Sequence, residues 1–457
     1  MTDTERNAEQ LRARPGDPRG IQTMRAMDNF RIAGRPVRTE LVRAYALVKK
    51  ACARVNGELG FLDADRAAAI EAVCDEIAEG THDRWFTVDA LQGGAGTSTN
   101  MNVNEVIACL ASRRLGEEGS VEPLRDVNLH QSTNDTYPTA LKLCAALRLA
   151  QAAKAAESLQ GAFQKKETEF ASIATVGRTE MQSAVPMTLG AIFSSFAEAA
   201  GRDRWRIFKC EERIRTVNLG GTAVGTGLAA PRDYIFHATD ELRRISGVRL
   251  ARGENLVDQT ANADAFAEVA GILSAFAANL EKQASDIRFL SHTGEIRLPA
   301  LQAGSSIMPG KINPVVCEAV IQAGMKARSL CALVAEAASR GTLQINEFLP
   351  LIADSLLEAI DLAERSAEAL AAHVALIAAN PSVCAELVRR DRMIVTAFLP
   401  DIGYAAAEKL LAEFDAARET DGALEIRSFL ESRLGAEAVK QKLSPSSLSE
   451  LGYRRNQ

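Results

Sequence analysis

The chain has 457 residues, more than one ordinary hydrophobic core accommodates, so two or three domains are expected. Hydrophobic residues make up 47% of it and aromatic residues only 5%, a balance that favours helical bundles over an all-β fold. The 53 basic and 59 acidic side chains give a net charge of −6, which argues against a nucleic-acid partner.

Residues 1–19 are polar, carry both charge signs and lack the apolar core of a signal peptide. No uncharged apolar run reaches the roughly 20 residues that a membrane helix needs. The eight cysteines form no CxxC pair and the five histidines have no metal-ligand spacing, so the thiols are predicted to be reduced. We therefore expect a cytoplasmic protein with no membrane partner, metal or cofactor.

The region from residue 20 to residue 140 mixes short helices with loops. Apolar residues at helical spacing predict helices over 39–57 and 64–80. Clusters rich in Gly, Ser, Thr and Asn at 92–102 and 131–136 predict loops that can carry chemistry.

From residue 141 to residue 397 the pattern changes to long helices, because apolar residues recur at i, i+3, i+4 and i+7. The predicted helices cover 140–171, 189–217, 263–291, 314–339 and 347–379. Each would be roughly 40 Å long at about 1.5 Å per residue. Helices of this length tend to bury wide apolar faces against other subunits. Residues 398–457 predict a smaller, more polar helical module.

The segment 304–313 is the most informative part of the chain and reads Gly-Ser-Ser-Ile-Met-Pro-Gly-Lys-Ile-Asn. Its two glycines allow sharp bends, and Pro314 suits the first turn of a following helix. Lys311 supplies a point charge, Asn313 a donor, and the serines donors or a base. The segment therefore predicts a flap that closes over an anionic substrate.

This segment resembles the signature of the fumarase/aspartase superfamily. Four further stretches resemble that family in order and spacing: 93–105, 131–135, 177–186 and 220–228. The resemblance implies an all-α, mainly helical fold of three domains. These are an N-terminal helical domain with substrate-binding loops (1–140), a central long-helix bundle carrying the signature loop (141–397) and a small C-terminal helical domain (398–457). It also implies a homotetramer whose active sites are shared by three chains.

Members of this superfamily catalyse reversible anti elimination from a substituted succinate, usually releasing fumarate. Removing a proton beside a carboxylate creates a dianionic aci-carboxylate, so the reaction needs a base and fixed positive charge. By the resemblance, Ser305 is the base, with Ser306 as the alternative, and Lys311 and Asn313 hold the carboxylate that gains charge. A serine oxyanion needs stabilisation, which backbone N–H groups of a tight glycine turn can supply.

The resemblance also implies a set of substrate contacts made by hydroxyl and amide groups. These contacts are Thr97, Ser132, Thr133, Asn134, Thr179 and Ser306, and the Glu180 carboxylate is a further substrate-binding candidate. Arg178 either anchors its own loop or touches substrate. The stretch 220–228 lacks a Walker lysine and a clean GxGxxG pattern, so it is predicted to be a structural turn.

Glu180 departs from the family pattern, because fumarases have histidine here and many aspartases have histidine or glutamine. In fumarases that histidine pairs with a glutamate matching Glu318, a further catalytic candidate. Two carboxylates would then face each other, and one pKa should be raised unless a substrate ammonium lies between them. Ser183 and Ala229 replace an aspartate and an asparagine that are common in the family. These changes leave the substrate open.

Four local features favour the aspartase side of the superfamily. They are Gly-Gly-Ala-Gly at 93–96, Ser-Thr-Asn at 132–134, Leu-Gln-Ala at 301–303, and Glu180, whose carboxylate suits an amine. Cys-Glu-Ala at 317–319 looks more like fumarase. We therefore predict a C–N lyase that eliminates ammonia reversibly from L-aspartate to give fumarate. The alternatives are malate dehydration as in class II fumarases, a different amino-acid substrate, and a non-catalytic homologue.

Overall fold

A computed structural model describes residues 16–452, which form two compact units. Of the described residues, unit 1 comprises 16–153, 205–277 and 325–363. Unit 2 comprises 154–204, 278–324 and 364–452. The division into domains at residues 140 and 397 stays a prediction.

Helices dominate both units, which confirms the predicted fold class. In chain order the α-helices are α1 (Ile21–Asn29), α2 (Thr39–Glu58), α3 (Ala64–Ala78), α4 (Thr97–Leu115), α5 (Thr133–Glu169), α6 (Leu189–Ile214), α7 (Arg232–Ser246), α8 (Leu256–Ala261), α9 (Asp264–His292), α10 (Val315–Ala338), α11 (Leu349–Ala375), α12 (Pro381–Arg390), α13 (Leu399–Ile402), α14 (Tyr404–Thr420), α15 (Ile426–Leu434), α16 (Ala436–Lys442) and α17 (Pro445–Ser449). Short 3₁₀ segments at Asp83–Trp85 and Arg392–Phe398 and a π-helical turn at Pro123–Val127 complete the helical elements.

The strands are short and pair two by two. An antiparallel hairpin joins β1 (Ala174–Thr179) to β2 (Gln182–Thr188), β3 (Thr216–Val217) runs parallel to β4 (Ala251–Arg252), and β5 (Ile296–Arg297) is antiparallel to β6 (Ala378–Ala379). The sequence reasoning predicted none of these pairs.

The five predicted long helices correspond to α5, α6, α9, α10 and α11, but two predicted loops were wrong over part of their length. Helix α4 already begins at Thr97 and α5 at Thr133. The Ser132 hydroxyl accepts the backbone N–H of Asn134 at 3.2 Å, and the Asp135 carboxylate accepts that of Ser132 at 2.9 Å. This reciprocal capping starts α5 inside a cluster whose composition otherwise favours a loop.

The core of unit 1 forms where α2 packs against α3 and α7, and α3 packs against α4. The buried side chains of α2 recur at helical spacing, at Leu41, Tyr45, Val48 and Cys52. This apolar stripe is the one that the sequence pattern predicted, and it fixes α2 beneath the polar loops of this unit.

In unit 2 the β1–β2 hairpin packs against α12, the 3₁₀ segment Arg392–Phe398 and α17. Val176 of the hairpin joins a buried cluster with Ile394, Phe398, Phe414 and Leu430. The helical module near the C-terminus therefore supports the hairpin directly.

All eight cysteines are unpaired, and only Cys109 among them is not buried. Across residues 16–452, no helix combines the length and the apolar character that crossing a membrane requires.

Candidate active site

A tight turn places Thr97 at the first position of α4. Gly94 and Gly96 adopt left-handed angles, with φ of 78° and 92°, which glycine tolerates without strain. A Cβ atom on Gly96 would lie 2.2 Å from the Tyr137 ring, so glycine allows α4 to approach α5 closely. Thr97 is exposed, and its hydroxyl donates to the Gly94 carbonyl at 2.7 Å. It stands at a helix N-terminus, where N–H groups favour anions.

Ser132, Thr133 and Asn134 occupy the N-terminus of α5, which is the longest helix of the described chain. Ser132 is the capping residue, Thr133 is buried, and Asn134 is half-buried. The Asn134 side-chain amide donates to the Ala223 carbonyl at 2.7 Å. This bond orients the amide and leaves its second N–H available to a ligand.

The N-termini of α4 and α5 are held together by a buried hydroxyl. The Tyr45 hydroxyl lies 2.7 Å from the Thr136 hydroxyl oxygen and donates to the Asn100 side-chain oxygen at 3.1 Å. Tyr45 is completely buried. Unit 1 thus brings Thr97 and the residues Ser132 to Asn134 onto adjacent helix starts.

A buried carboxylate lies directly beneath the start of α5. Besides capping Ser132, Asp135 accepts the backbone N–H groups of Gly220 at 3.1 Å and Thr222 at 3.0 Å. Complete burial raises the pKa of Asp135 to about 6, although these three N–H donors act in the opposite direction. As predicted, the stretch 220–228 is a structural turn, and it is bound to Asp135.

Two buried lysines near these helix starts were missed by sequence reasoning. The Lys49 ammonium is fully buried and donates to the side-chain oxygens of Asn128 at 3.0 Å and Gln131 at 2.9 Å. Lys142 likewise donates to two carbonyl oxygens, at 2.7 and 2.9 Å. Desolvation lowers the pKa of each to about 8. Both add positive charge behind the α5 N-terminus.

Thr179 and Glu180 lie at the tip of the β1–β2 hairpin in unit 2. The two-residue turn is Glu180–Met181, with φ of 51° and 63°, so two residues with side chains occupy the left-handed region. Such angles are usually taken by glycine or asparagine. Both site candidates are exposed, and Met181 is 69% exposed.

Arg178 anchors this hairpin. Its guanidinium forms an ion pair of 2.8 Å with Glu295, a carboxylate that is completely buried, and stacks over the Phe289 ring at 5.5 Å from the centroid. Of the two roles considered for Arg178, the geometry supports the structural one.

The signature segment forms an exposed loop between β5 and α10. Ser305 is half-buried, and its hydroxyl oxygen accepts the backbone N–H groups of Ile307 at 3.2 Å and Met308 at 3.0 Å. Two N–H donors aimed at one oxygen stabilise negative charge on it. The donors come from residues inside the loop and not from its glycines.

The two ends of this loop are joined by backbone and side-chain bonds. The Gly304 N–H donates to the Lys311 carbonyl at 3.0 Å, and the Asn313 amide donates to the Gly304 carbonyl at 2.8 Å. The Lys311 side chain is exposed and forms no ion pair with any of residues 16–452, and Ser306 is also exposed. The loop therefore presents a cation close in sequence to Ser305.

Glu318 follows on the first turn of α10, where its carboxylate lies 3.8 Å from the Arg288 guanidinium. The pair borders a cleft of about 500 Å³ that is also lined by Phe289, His292 and Ile312. The chain gives Glu318 a cationic neighbour on α9. The expected approach of Glu180 to Glu318 stays a prediction.

Comparison with known proteins identifies the family. A family model described as "Lyase" matches residues 14–328. An aspartate ammonia-lyase from Pseudomonas aeruginosa is 43% identical over 86% of this chain and 85% of its own. A class II fumarate hydratase from Corynebacterium efficiens is 40% identical over 87% and 86%, respectively. A solved structure of a fumarate lyase:delta crystallin from Brucella melitensis covers 96% of this chain and 97% of its own, at 40% identity and a TM-score of 0.91. The chain therefore belongs to the fumarase/aspartase superfamily of lyases, on its aspartase-like side.

Proposed function

We propose that this enzyme is an ammonia-lyase that eliminates ammonia reversibly from L-aspartate to give fumarate. The aspartate ammonia-lyase relatives support a C–N lyase that acts on a small-molecule substrate. The observation that carries the proposal is the pair of backbone N–H groups aimed at the Ser305 oxygen, on the loop that also holds Lys311 and Asn313. A class II fumarase activity is the second candidate, since a fumarase relative is similarly close.

Ser305 is proposed to remove the proton from the carbon beside one substrate carboxylate. The N–H groups of Ile307 and Met308 lower the cost of forming a serine oxyanion before the proton is taken. Lys311, which has no intramolecular ion pair within residues 16–452, is proposed to stabilise the aci-carboxylate. Asn313 fixes the loop through the Gly304 carbonyl and brings its amide to the same carboxylate.

The other substrate carboxylate is assigned to Thr97, Ser132, Thr133 and Asn134. The supporting geometry is the pair of adjacent helix N-termini in unit 1, together with the second Asn134 side-chain N–H, which the bond to the Ala223 carbonyl does not use. The buried ammonium groups of Lys49 and Lys142 favour an anion at this position.

The amine is assigned to the hairpin tip, with Thr179 donating or accepting a hydrogen bond and Glu180 pairing with the ammonium. A carboxylate at position 180 would repel malate, which carries no compensating cation. Glu318 is proposed to complete this side of the site, balanced by Arg288.

We also propose a homotetramer with active sites shared by three chains. The candidate loops and the 220–228 turn expose large apolar side chains to water in the single chain, including Met181 (69%), Leu228 (79%) and Ile307 (84%). Exposed apolar side chains of this size are typical of surfaces that are covered by a partner.

The test is to offer the enzyme L-aspartate, L-malate and bulkier amino acids in turn. Turnover of each is followed by the ultraviolet absorbance of the unsaturated product. Turnover of L-aspartate should exceed malate dehydration by orders of magnitude. Faster dehydration of malate would establish the fumarase alternative. Faster deamination of another amino acid would retain the C–N lyase class and replace the substrate. No turnover of any substrate by folded protein would indicate the non-catalytic alternative.

A further inference from the structure

Glu295 is a buried carboxylate for which the proposed chemistry has no direct use. It is completely inaccessible to solvent and lies between two candidate site segments along the chain. It comes immediately before β5, and β5 leads into the signature loop that starts at Gly304. A charge buried to this degree is retained only if it is paired and hydrogen-bonded.

Both oxygens of this carboxylate are occupied. Oε2 pairs with the Arg178 guanidinium at 2.8 Å and accepts the Thr293 hydroxyl at 2.7 Å. Oε1 accepts the hydroxyl of Thr175 on β1. The Glu295 backbone carbonyl accepts the N–H of Asn380 at 2.8 Å, beyond the end of β6. One residue thus ties the β1–β2 hairpin to the β5–β6 pair.

The hairpin needs this support because of its own geometry. Its tip holds Glu180 and Met181 at positive φ, and such strain persists only where the surroundings determine the conformation. The register of the hairpin shifts between Val176 and Arg178, where Gly177 allows close approach to the Val185 carbonyl. This bulge directs Arg178, the residue before Thr179, towards Glu295.

We propose that Glu295 is a positioning residue that acts through Arg178 to hold Thr179 and Glu180 in the geometry that receives the substrate amine. The same carboxylate fixes the start of the segment that leads to Ser305. Glu295 itself touches no reacting atom. The inference rests on the proposed function, because it assigns the hairpin tip to the amine.

A positioning role differs measurably from general support of the fold. Loss of folded protein lowers the apparent kcat but leaves KM unchanged, whereas a displaced hairpin tip weakens binding of the amine. In the reverse reaction, KM for ammonium should therefore rise more than KM for fumarate. A displacement of about 1 Å can cost about 100-fold in rate.

The experiment compares Glu295→Gln, Arg178→Gln and the double variant with wild type, in the intact enzyme and with folding checked by circular dichroism. Glu295→Gln keeps the size of the side chain and removes its charge. We expect kcat/KM for L-aspartate to fall about 10- to 100-fold, with KM for ammonium raised. In the double variant, kcat/KM for L-aspartate should be at most about threefold lower than in the less active single variant, because both changes break the same linkage.

Asp203→Asn is the matched control. Asp203 is an equally buried carboxylate of unit 2, held by the Asn279 amide at 2.7 Å, and it lies on α6 away from the hairpin residues in sequence. This control should change KM for ammonium by less than about twofold, even if it lowers stability. An equal rise in the control would overturn the proposal.

If Glu295→Gln does not fold, Thr293→Val removes one hydrogen bond to Oε2 without changing any charge. It should still raise KM for ammonium, and an unchanged KM would contradict the inference. Wild-type kinetics in folded Glu295→Gln, or multiplicative losses in the double variant, would also overturn it. Absence of lyase activity in the wild type would instead reject the proposed function, so the two failures can be told apart.

Discussion

The two polar regions of this chain are constructed in opposite ways. The proposed anion site of unit 1 stands on the starts of α4 and α5 and is fixed from below by Tyr45, Lys49 and Asp135, all completely buried. The signature loop of unit 2 has exposed side chains over most of its length and is closed by bonds among Gly304, Ser305 and their loop neighbours. This difference fits our proposal that the first region binds a substrate carboxylate that does not react and the second carries the reactive groups.

The difference has a physical basis. A carboxylate that keeps its charge throughout a reaction can be bound by rigid helix ends, whose N–H groups are already oriented. A loop that brings a base to a substrate carbon and then opens to release product must be able to move, so it should have few buried contacts. The exposed Ser305 loop satisfies the second requirement, and the capped α5 start satisfies the first.

The largest effect is expected in the signature loop, at Ser305. Ser305→Ala should lower kcat for L-aspartate by about 10²- to 10⁴-fold, as loss of a general base typically does. Substrate binding and folding should be largely retained, because the substitution leaves the starts of α4 and α5 untouched. Ser306→Ala is the matched control, because the neighbouring Ser306 hydroxyl forms no hydrogen bond within the loop. A Ser305→Ala enzyme with more than about half of the wild-type kcat would move the base to Ser306.

The second prediction tests whether the two regions meet in one site across subunits. Inactive Ser305→Ala and inactive Asn134→Ala proteins, unfolded together and then refolded, should regain part of the wild-type activity. The reason is that some mixed tetramers then contain a site with an intact signature loop and an intact α5 start. Each variant refolded alone is the control. If confirmed mixed tetramers stay inactive, each chain must supply both regions to its own site.

The third prediction concerns the buried Lys49 ammonium near the starts of α4 and α5. Burial lowers the pKa of Lys49 to about 8 from its ordinary value of 10.5, so the unfolded chain binds more protons than the native one between these values. The free energy of unfolding should therefore rise with pH in this window, by up to about 3 kcal/mol from this group. In urea unfolding, Lys49→Met should lack that share of the rise in unfolding free energy. Lys50→Met, which removes an ammonium paired with the exposed Asp75 carboxylate, should keep it. Parallel pH curves for wild type and Lys49→Met would contradict the assignment.

Some of the features behind these predictions could be predicted from the sequence, and others could not. The long helices were predictable because apolar spacing persists over many turns, as in α6 and α9. The signature loop was found because its residue types are adjacent in sequence. The Ser132 and Asp135 spacing could have indicated the start of α5, but the surrounding Gly, Ser and Asn residues favoured a loop.

Other features depend on contacts that no local pattern reports. The β1–β2 hairpin turns at Glu180–Met181, which lacks the Asn-Gly or Asp-Gly signal of such turns. Lys49 precedes a second lysine and has the sequence context of a solvated pair, yet its neighbours in space bury it completely. The Arg178–Glu295 pair joins residues that are far apart along the chain, and only folding brings them together.

The fourth prediction tests the amine side of unit 2. Glu180→Gln should reduce kcat/KM for L-aspartate by about tenfold or less if the side chain positions the amine by hydrogen bonding. A much larger loss would mean that Glu180 supplies charge or a proton to the leaving group. Glu180→His restores the fumarase residue and should raise malate dehydration slightly. Gln182→Glu on the adjacent exposed strand position is the control, and steady-state kinetics on both substrates is the measurement.

The smallest effect is expected at Ala229, directly after the 220–228 turn that is bound to Asp135 beneath the start of α5. Ala229 has φ of 71°, a left-handed angle that costs an L-residue other than glycine or asparagine about 1–2 kcal/mol. Ala229→Asn should recover part of this, about 0.5–1 kcal/mol of unfolding free energy, because asparagine tolerates this conformation. Ala230→Asn is the matched control, since the backbone of Ala230 does not have a positive φ. Equal effects of the two substitutions in urea unfolding would show that backbone strain at position 229 is not the cause. A gain confined to Ala229→Asn would show that the turn bound beneath the start of α5 retains backbone strain, even though Ser132 and Asp135 cap that helix start.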